Sequence, residues 1–296
     1  MKKLSTQQRA AILTALVEGN SMASTSRMFG VSKITILRLL ADAGTLAAQY
    51  HDLTVCDLTT RRVQADEIWA FVNAKQRNVP EASRGHFGVG DVWTWQAIDA
   101  DSKLVISYML GLRNGGYAKE FMLDVASRLA NKVQLTTDGL SVYLDAVDDA
   151  FGGDIDYAQL VKVYGPDKSA AGRYSPPEVI SVTHEEVCGS PDIGEVSTSY
   201  IERQNLTVRM SNRRFTRLTN AFSKKIENHG HSVALYYFNY NFCRVHTTIK
   251  TTPALKAGIA DKVWTMLDFV KMLEREEELL GGRLTNYLPA KKKIKR

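Results

Sequence analysis

Cysteine is scarce: only Cys56, Cys188 and Cys243 occur in 296 residues, and none sits in a Cys-x-x-Cys spacing. That excludes a disulfide framework and a zinc ribbon, and suits a reducing compartment. No run of 18 or more apolar residues occurs, so no membrane-spanning helix is expected. The opening MKKLSTQQRA is basic but lacks the apolar stretch of a secretory signal. A cytoplasmic location is the resulting expectation. Internal repeats are also missing. What is present is an ordinary globular balance, 44% hydrophobic and 24% charged, in a chain long enough for two domains.

The net charge of +6 hides a stronger pattern. Residues 1–62 carry +4, residues 63–202 carry −10, and residues 203–296 carry +12. Basic ends attract phosphate backbones. An acidic middle suits a site that collects divalent cations.

Residues 5–42 read as three short helices. Ile12, Leu13, Leu16 and Val17 form a stripe at helical spacing, Gly19-Asn20 ends it, and Ser21 can cap the next helix, which runs to Phe29. Gly30-Val31 is a turn and Ser32 caps a third helix, in which Ile36, Leu39 and Leu40 can face a core. Lys33, Ile34, Leu37 and Arg38 fall on another face. This is a helix-turn-helix layout, whose last helix enters the major groove of double-stranded DNA. The expected division is a helix-turn-helix domain over 1–50 and a basic linker over 51–62 ending in Arg61-Arg62.

Beyond residue 62 the period changes. Val63–Val72, Val92–Ile98 and Leu104–Leu110 are rich in β-branched and aromatic residues and predict strands, the last two joined by the turn Asp99-Ala100-Asp101-Ser102. A helix over 117–131, a strand over 133–137, a helix over 142–151, a strand over 160–164 and a long helix over 195–213 complete the series. Three strands, helix, strand, helix, strand, helix is the order of an RNase H-like fold: an α/β mixed sheet with helices on both faces. It is expected over 63–260, with a Pro- and Gly-containing insertion at about 165–194 that holds one strand, 179–183. Residues 261–296 are expected to form a C-terminal helix and a basic tail, KKKIKR.

Three carboxylates stand out. Asp66 lies inside an otherwise apolar strand, where an unpaired carboxylate is costly and a metal ion would be a partner. Its neighbour Glu67 is expected on the opposite face, because side chains alternate along a strand. Asp138 follows the run Val133–Leu135, at a strand's carboxyl end, where α/β sheets place their chemistry. On the last long helix, Thr198, Glu202, Asn205, Arg209 and Arg213 share one side, opposite Ile201 and Val208. Convergent carboxylates can hold two Mg²⁺ about 3.5–4 Å apart over a phosphodiester.

At these residues the chain resembles bacterial insertion-sequence transposases of the DDE superfamily, closest to the insertion-sequence-one family. The likeness rests on VQADEIWAFV at 63–72, TTDGLSVY at 136–143, YIERQNLTVR at 200–209 and NYNFCRVHTTIKTTPA at 239–254. It implies Asp66, Asp138 and Glu202 as catalytic metal ligands for two Mg²⁺, with Mn²⁺ substituting. It implies cleavage at the ends of a mobile element, followed by attack of the freed 3′-hydroxyl on target DNA. The partner would be double-stranded DNA, the location the bacterial nucleoid, and joining two ends favours at least a dimer. Two departures stand out: the 64 positions from Asp138 to Glu202 exceed the gap in compact members, and no N-terminal zinc element is present.

Arg209, Arg213, Arg214 and Arg217 form a basic stretch suited to phosphate contacts. Arg244 and His246, with Asn241, are expected near DNA or bracing the catalytic helix. Two alternatives stay open. One is a catalytically inactive helix-turn-helix regulator derived from a transposase. The other is a hydrolase using paired carboxylates on a different substrate, such as a glycoside.

Overall fold

The computed structural model describes residues 4–165, 179–216 and 219–287. Three serines start the chain's first three helices, α1 (Thr6–Val17), α2 (Met22–Phe29) and α3 (Lys33–Thr54). The hydroxyls of Ser5, Ser21 and Ser32 each accept from a backbone N–H three residues on, satisfying a donor that the helix itself cannot. Gly30 stops α2 at φ 63°, a left-handed conformation that costs glycine little. Ile12, Leu13, Ile36, Leu39 and Leu40 are buried, while Lys33, Ile34 and Arg38 are exposed and Leu37 is half-buried.

The third helix departs from expectation: it continues past residue 42 into the first residues of the stretch read as linker, 51–62, and ends at Thr54. Ala43, Leu46 and Ala47 are buried and extend the stripe of Ile36, Leu39 and Leu40 at unbroken helical spacing. Only residues 55–61 connect it to the sheet.

That sheet has six strands in the order β3-β2-β1-β4-β5-β6. They are β1 (Arg62–Val72), β2 (Gly90–Asp99), β3 (Val105–Gly111), β4 (Gln134–Asp138), β5 (Asp156–Tyr164) and β6 (Val179–Cys188). β1, β2 and β3 are antiparallel neighbours, β1, β4 and β5 are parallel, and β6 returns antiparallel to β5. The helices α4 (Gly115–Ser127) and α5 (Val142–Phe151) cover one face, where Trp95 of β2 packs between Phe121 and Tyr143. On the other lie α6 (Ser199–Ser211) and α7 (Ile226–Phe238), with Ile68, Ile98, Ile201, Val208 and Tyr237 in one apolar cluster. This is the RNase H-like mixed sheet. The strand expected at 179–183 is β6, five residues longer than foreseen, along the outer side of β5. The rest of the expected insertion up to residue 178 lies outside the described residues, as does the basic tail.

The chain continues through short α8 (Pro253–Lys256), α9 (Met266–Leu279) and short α10 (Leu284–Tyr287). These terminal helices fold back onto the first ones. Arg9 of α1 bonds to Glu274 and Glu277 of α9, and Arg283 pairs with Asp42 of α3 at 2.7 Å. Ile12, Leu39, Ala65, Leu135 and Phe269 belong to one continuous core cluster, so the first three helices and the sheet share an interior. Among the described residues, no helix is long and apolar enough to cross a membrane.

At the other edge of the sheet, Asn241 closes the free side of β3. Its amide accepts from the Val105 N–H and donates to the Val105 carbonyl, both at 2.9 Å, in a fully buried setting. Asn241 thus braces the sheet edge. Asn241→Leu should lower the unfolding free energy by about 2–5 kcal/mol, because two buried backbone groups lose their partners. Urea unfolding measures this, and a loss below about 1 kcal/mol would mean that Val105 finds other partners.

Candidate metal centre and nucleic-acid interface

β1 and β4 pair over only three residues, from Arg62↔Gln134 to Gln64↔Thr136. Beyond them the two parallel strands diverge at their carboxyl ends. Asp66 and Asp138 stand on either side of that opening. With Glu202 from α6 they line one cleft of about 490 Å³, shared with Arg113, Lys162 and Thr198. Asp66 and Asp138 are half-buried and Glu202 is exposed.

Why α6 sits where it does follows from two polar residues inside β1. The helix has no side-chain cap of its own. Instead Gln64 Oε1, 3% exposed, accepts from the backbone N–H groups of Tyr200 (2.9 Å) and Ile201 (3.1 Å). Two residues on, and on the same face, Asp66 Oδ2 accepts from Asn205 Nδ2 at 2.6 Å. Asn205 in turn accepts from Gln96 Nε2, and Gln96 accepts from the Tyr237 hydroxyl at 2.6 Å. Glu202, one turn before Asn205, is thereby carried to the cleft. Its Oε1 accepts from Thr198 Oγ1 at 2.6 Å and from Lys162 Nζ.

Glu67 is the residue that strand alternation set aside. Its side chain does leave β1 on the α5 face, where Tyr143 and Arg113 donate to it at 2.9 and 2.6 Å. Yet ligand atoms of Asp66, Glu67 and Asp138 all lie within 4.8 Å of one another. Where the strands part, a glutamate's extra methylene lets its carboxylate reach the gap from the far face. The two other partners of the centre, Lys162 and Arg113, also went unread.

The electrostatics follow. Burial first, then the charges of Glu67 and Asp138, push the Asp66 carboxyl from 3.8 up to about 7. Burial and Asp138 also raise Glu67, against the pull of Arg113. Tyr143 is raised well above its ordinary range by burial and by the same acids, so it stays a hydrogen-bond donor. Hard oxygen donors converging on a half-buried carboxylate that, among the described residues, no cation touches fit a divalent metal ion.

The expected DNA contacts divide into several groups. Lys33, Ile34 and Arg38 project from the first turns of α3, with Leu37 half-buried beside them. Arg62 is engaged within the protein, paired with Asp101 and Glu195, which ties the start of β1 to the β2–β3 turn, whereas Arg61 is exposed and reaches the same acids at 3.8 and 3.7 Å. Arg214 turns inward: Nη1 donates to Ser223 Oγ at 2.8 Å, and burial pulls its guanidinium from 12.5 down to about 10. Arg209 and Arg213 are half-buried near the end of α6. Arg244 is exposed and reaches Ser211 Oγ at 3.1 Å, bracing that same helix end. His246 packs edge-on against Tyr240, ring centres 4.5 Å apart. Arg217 lies outside the described residues.

No known family model matches the chain, and no curated protein matches it. Among solved structures it is similar to the piggyBac transposase synaptic complex with hairpin DNA, at TM-score 0.40 and 11% identity, covering 98% of this chain and 75% of that one. It is similar to the simian T-cell lymphotropic virus intasome in complex with PP2A regulatory subunit B56 gamma, at TM-score 0.39 and 14% identity, covering 84% and 74%. The Mos1 strand transfer complex is matched at TM-score 0.24 and 12% identity, covering 81% and 78%. These likenesses are remote in sequence and partial in shape.

Proposed function

We infer that the chain is a metal-dependent transposase, which binds the ends of an insertion sequence, cleaves DNA and transfers 3′-hydroxyl ends into target DNA. The observation that carries the reading is the meeting of Asp66, Asp138 and Glu202, distant in sequence, at one cleft on the carboxyl edge of the sheet. Two Mg²⁺, or Mn²⁺ in their place, would activate the attacking hydroxyl and stabilise the departing oxygen. Asp66, Asp138 and Glu202 would hold them. Gln64 and Asn205 keep the helix that bears Glu202 in register with Asp66, a positioning task rather than a chemical one.

Residues 1–50 act as the DNA reader. Lys33, Ile34, Leu37 and Arg38 lie in the major groove at the start of α3, and the exposed Arg244 contributes a phosphate contact beside α6. Two such chains at least would be needed to hold two DNA ends together, in the nucleoid of a bacterial cell.

The test is cleavage of DNA that carries the element's own ends. The purified protein should nick it with Mg²⁺ or Mn²⁺ and not with EDTA. Asp138→Asn and Glu202→Gln should each reduce nicking by about 10²–10³-fold or more while DNA binding persists. Full cleavage by either variant removes that residue from the site. Binding without cleavage in any divalent ion would leave the inactive regulator as the better account.

A further inference from the structure

Lys162 stands on β5 with its side chain on the α6 face. Asp138 pairs in register with Leu160, and Lys162 is two residues beyond it on the same face. The ammonium crosses the cleft to Glu202, at an Oε1 that already accepts from Thr198. Nothing in the local packing demands a lysine there: its side chain is 26% exposed, and its neighbours Val161 and Val163 point to the opposite face of the sheet. On the far side of the opening Arg113 is tied differently. It is bonded to Glu67 at 2.6 Å and lies over the Trp93 ring at 4.8 Å, so both its charge and its plane are occupied.

The cleft therefore holds four carboxylates and two cations of unlike mobility. Arg113 is clamped on two sides. Lys162 is a flexible chain held at one end by a single exposed carboxylate. With both cations in place, the uncompensated acids are Asp66 and Asp138, which together balance one divalent ion and no more. A second ion needs Glu202, and Glu202 is taken.

We propose that Lys162 is a placeholder cation: it occupies the Glu202 side of the centre in the free protein and moves to the backbone phosphate when DNA and the second ion enter together, so that the second metal position opens only on DNA. The proposal rests on the transposase reading above and adds to it an order of assembly and a phosphate-contacting residue. A long ammonium side chain suits the exchange, because it is a mobile point charge with three donors. The exchange conserves charge: the phosphate anion replaces the Glu202 carboxylate as the partner of Lys162, and the freed carboxylate serves the ion. A nuclease so arranged would not hold a fully loaded centre away from its substrate.

Two measurements on the full chain test this without relying on cleavage. The first is Mn²⁺ binding in the absence of DNA, by calorimetry or by the loss of the free-ion electron spin resonance signal. The wild type should take up one ion tightly. Lys162→Met should bind the second at least about tenfold more tightly, since it removes a full charge at contact distance, and Lys162→Arg should behave as the wild type. The second is the salt dependence of binding to a random-sequence duplex. With Ca²⁺ present, the slope of log K against log salt should be steeper for the wild type than for Lys162→Met by about one phosphate's contribution. With EDTA the two slopes should coincide, because Lys162 then stays on Glu202. No tight Mn²⁺ site in the wild type would defeat the transposase reading itself. One tight site, with equal second-ion affinity in the wild type and Lys162→Met, would overturn the role of Lys162 and leave that reading standing. So would Ca²⁺-independent slopes.

Discussion

Asp66→Asn should reduce DNA cleavage by about 10³-fold or more and, in the same preparation, make the metal-free protein more stable at neutral pH. The two effects have one cause. Asp66 is half-buried, faces Glu67 and Asp138, and receives hydrogen bonds from neutral donors only, Asn205 Nδ2 and the Glu67 N–H. Its carboxyl is accordingly pushed up to about 7. A carboxyl raised on folding keeps its proton when the unfolded chain has already lost it. Its stabilising effect is thus complete below about pH 4 and is lost as pH rises through about 7, the ceiling being about 4 kcal/mol. Asparagine keeps the shape and carries no charge, so the variant should show little of this slope. Urea unfolding in EDTA at pH 5 and pH 8 measures it. The wild type should weaken toward pH 8 and the variant should not. Adding Mn²⁺ should restore the wild type alone, because an ion bound only by the folded state stabilises it. A variant less stable than the wild type at pH 8 without metal would show that the Asp66 charge is already compensated.

How much of this centre could be read from the sequence depends on the kind of signal. Asp66 was legible because a carboxylate inside an apolar strand is an anomaly on one line of text. Gln64 and Gln96 carry the same anomaly in the same pair of strands, and the same argument would have found them. Asn205 was half-read: it shares a helix side with Glu202, but spacing alone does not reveal that its amide is directed at Asp66 rather than at solvent. Glu67 shows where a rule fails. Alternation correctly assigns its face, and the divergence of β1 from β4 then lets its carboxylate come back to the gap. Lys162 and Arg113 left no local trace. Their pairing with Glu202 and Glu67 spans 40 and 46 residues, and only the fold brings the partners together.

The basic residues show a different limit: a run of like charge does not by itself tell which side chains face solvent. Arg214 sits in a basic stretch and yet turns into the protein onto Ser223. Arg62 is held by Asp101 and Glu195, 39 or more residues away, while its neighbour Arg61 stays exposed and meets the same two acids at 3.8 and 3.7 Å. Helix starts and tight turns fared better than helix and strand ends, because caps and turns are local. The serines before the first three helices and the Asp99–Ser102 turn are legible since their partners lie within a few residues.

The unbroken length of α3 alters the mechanical picture most, and Gly44 tests it. Here α3 passes α7 so closely that a β-carbon on residue 44 would lie 2.4 Å from the Cα of His231 and 2.5 Å from its carbonyl oxygen. The obstruction is backbone, so no rotamer change relieves it. Gly44→Ala should cost about 3 kcal/mol, against a gain of up to about 1 kcal/mol from the better helix propensity of alanine, and Gly44→Val should leave little folded protein. The form of the transition matters more than its size. Trp69, Trp93 and Trp95 lie in β1 and β2, so their fluorescence reports the sheet, whereas Trp264 packs against Tyr50 of α3 with ring centres 5.3 Å apart and is replaced by phenylalanine for this measurement. Were the first 50 residues a tethered module, Gly44→Ala would melt them early in circular dichroism and leave the signal of the sheet tryptophans unmoved. Because Ile12, Leu39, Ala65 and Phe269 share one core, both signals should fall together at one lowered temperature. A rigid rod of 22 residues, about 33 Å long, then joins the exposed Lys33 and Arg38 to the sheet that carries Asp66. If the proposed function holds, the distance between base pairs at α3 and a phosphodiester at the cleft would be set by helix geometry rather than by the length of a tether.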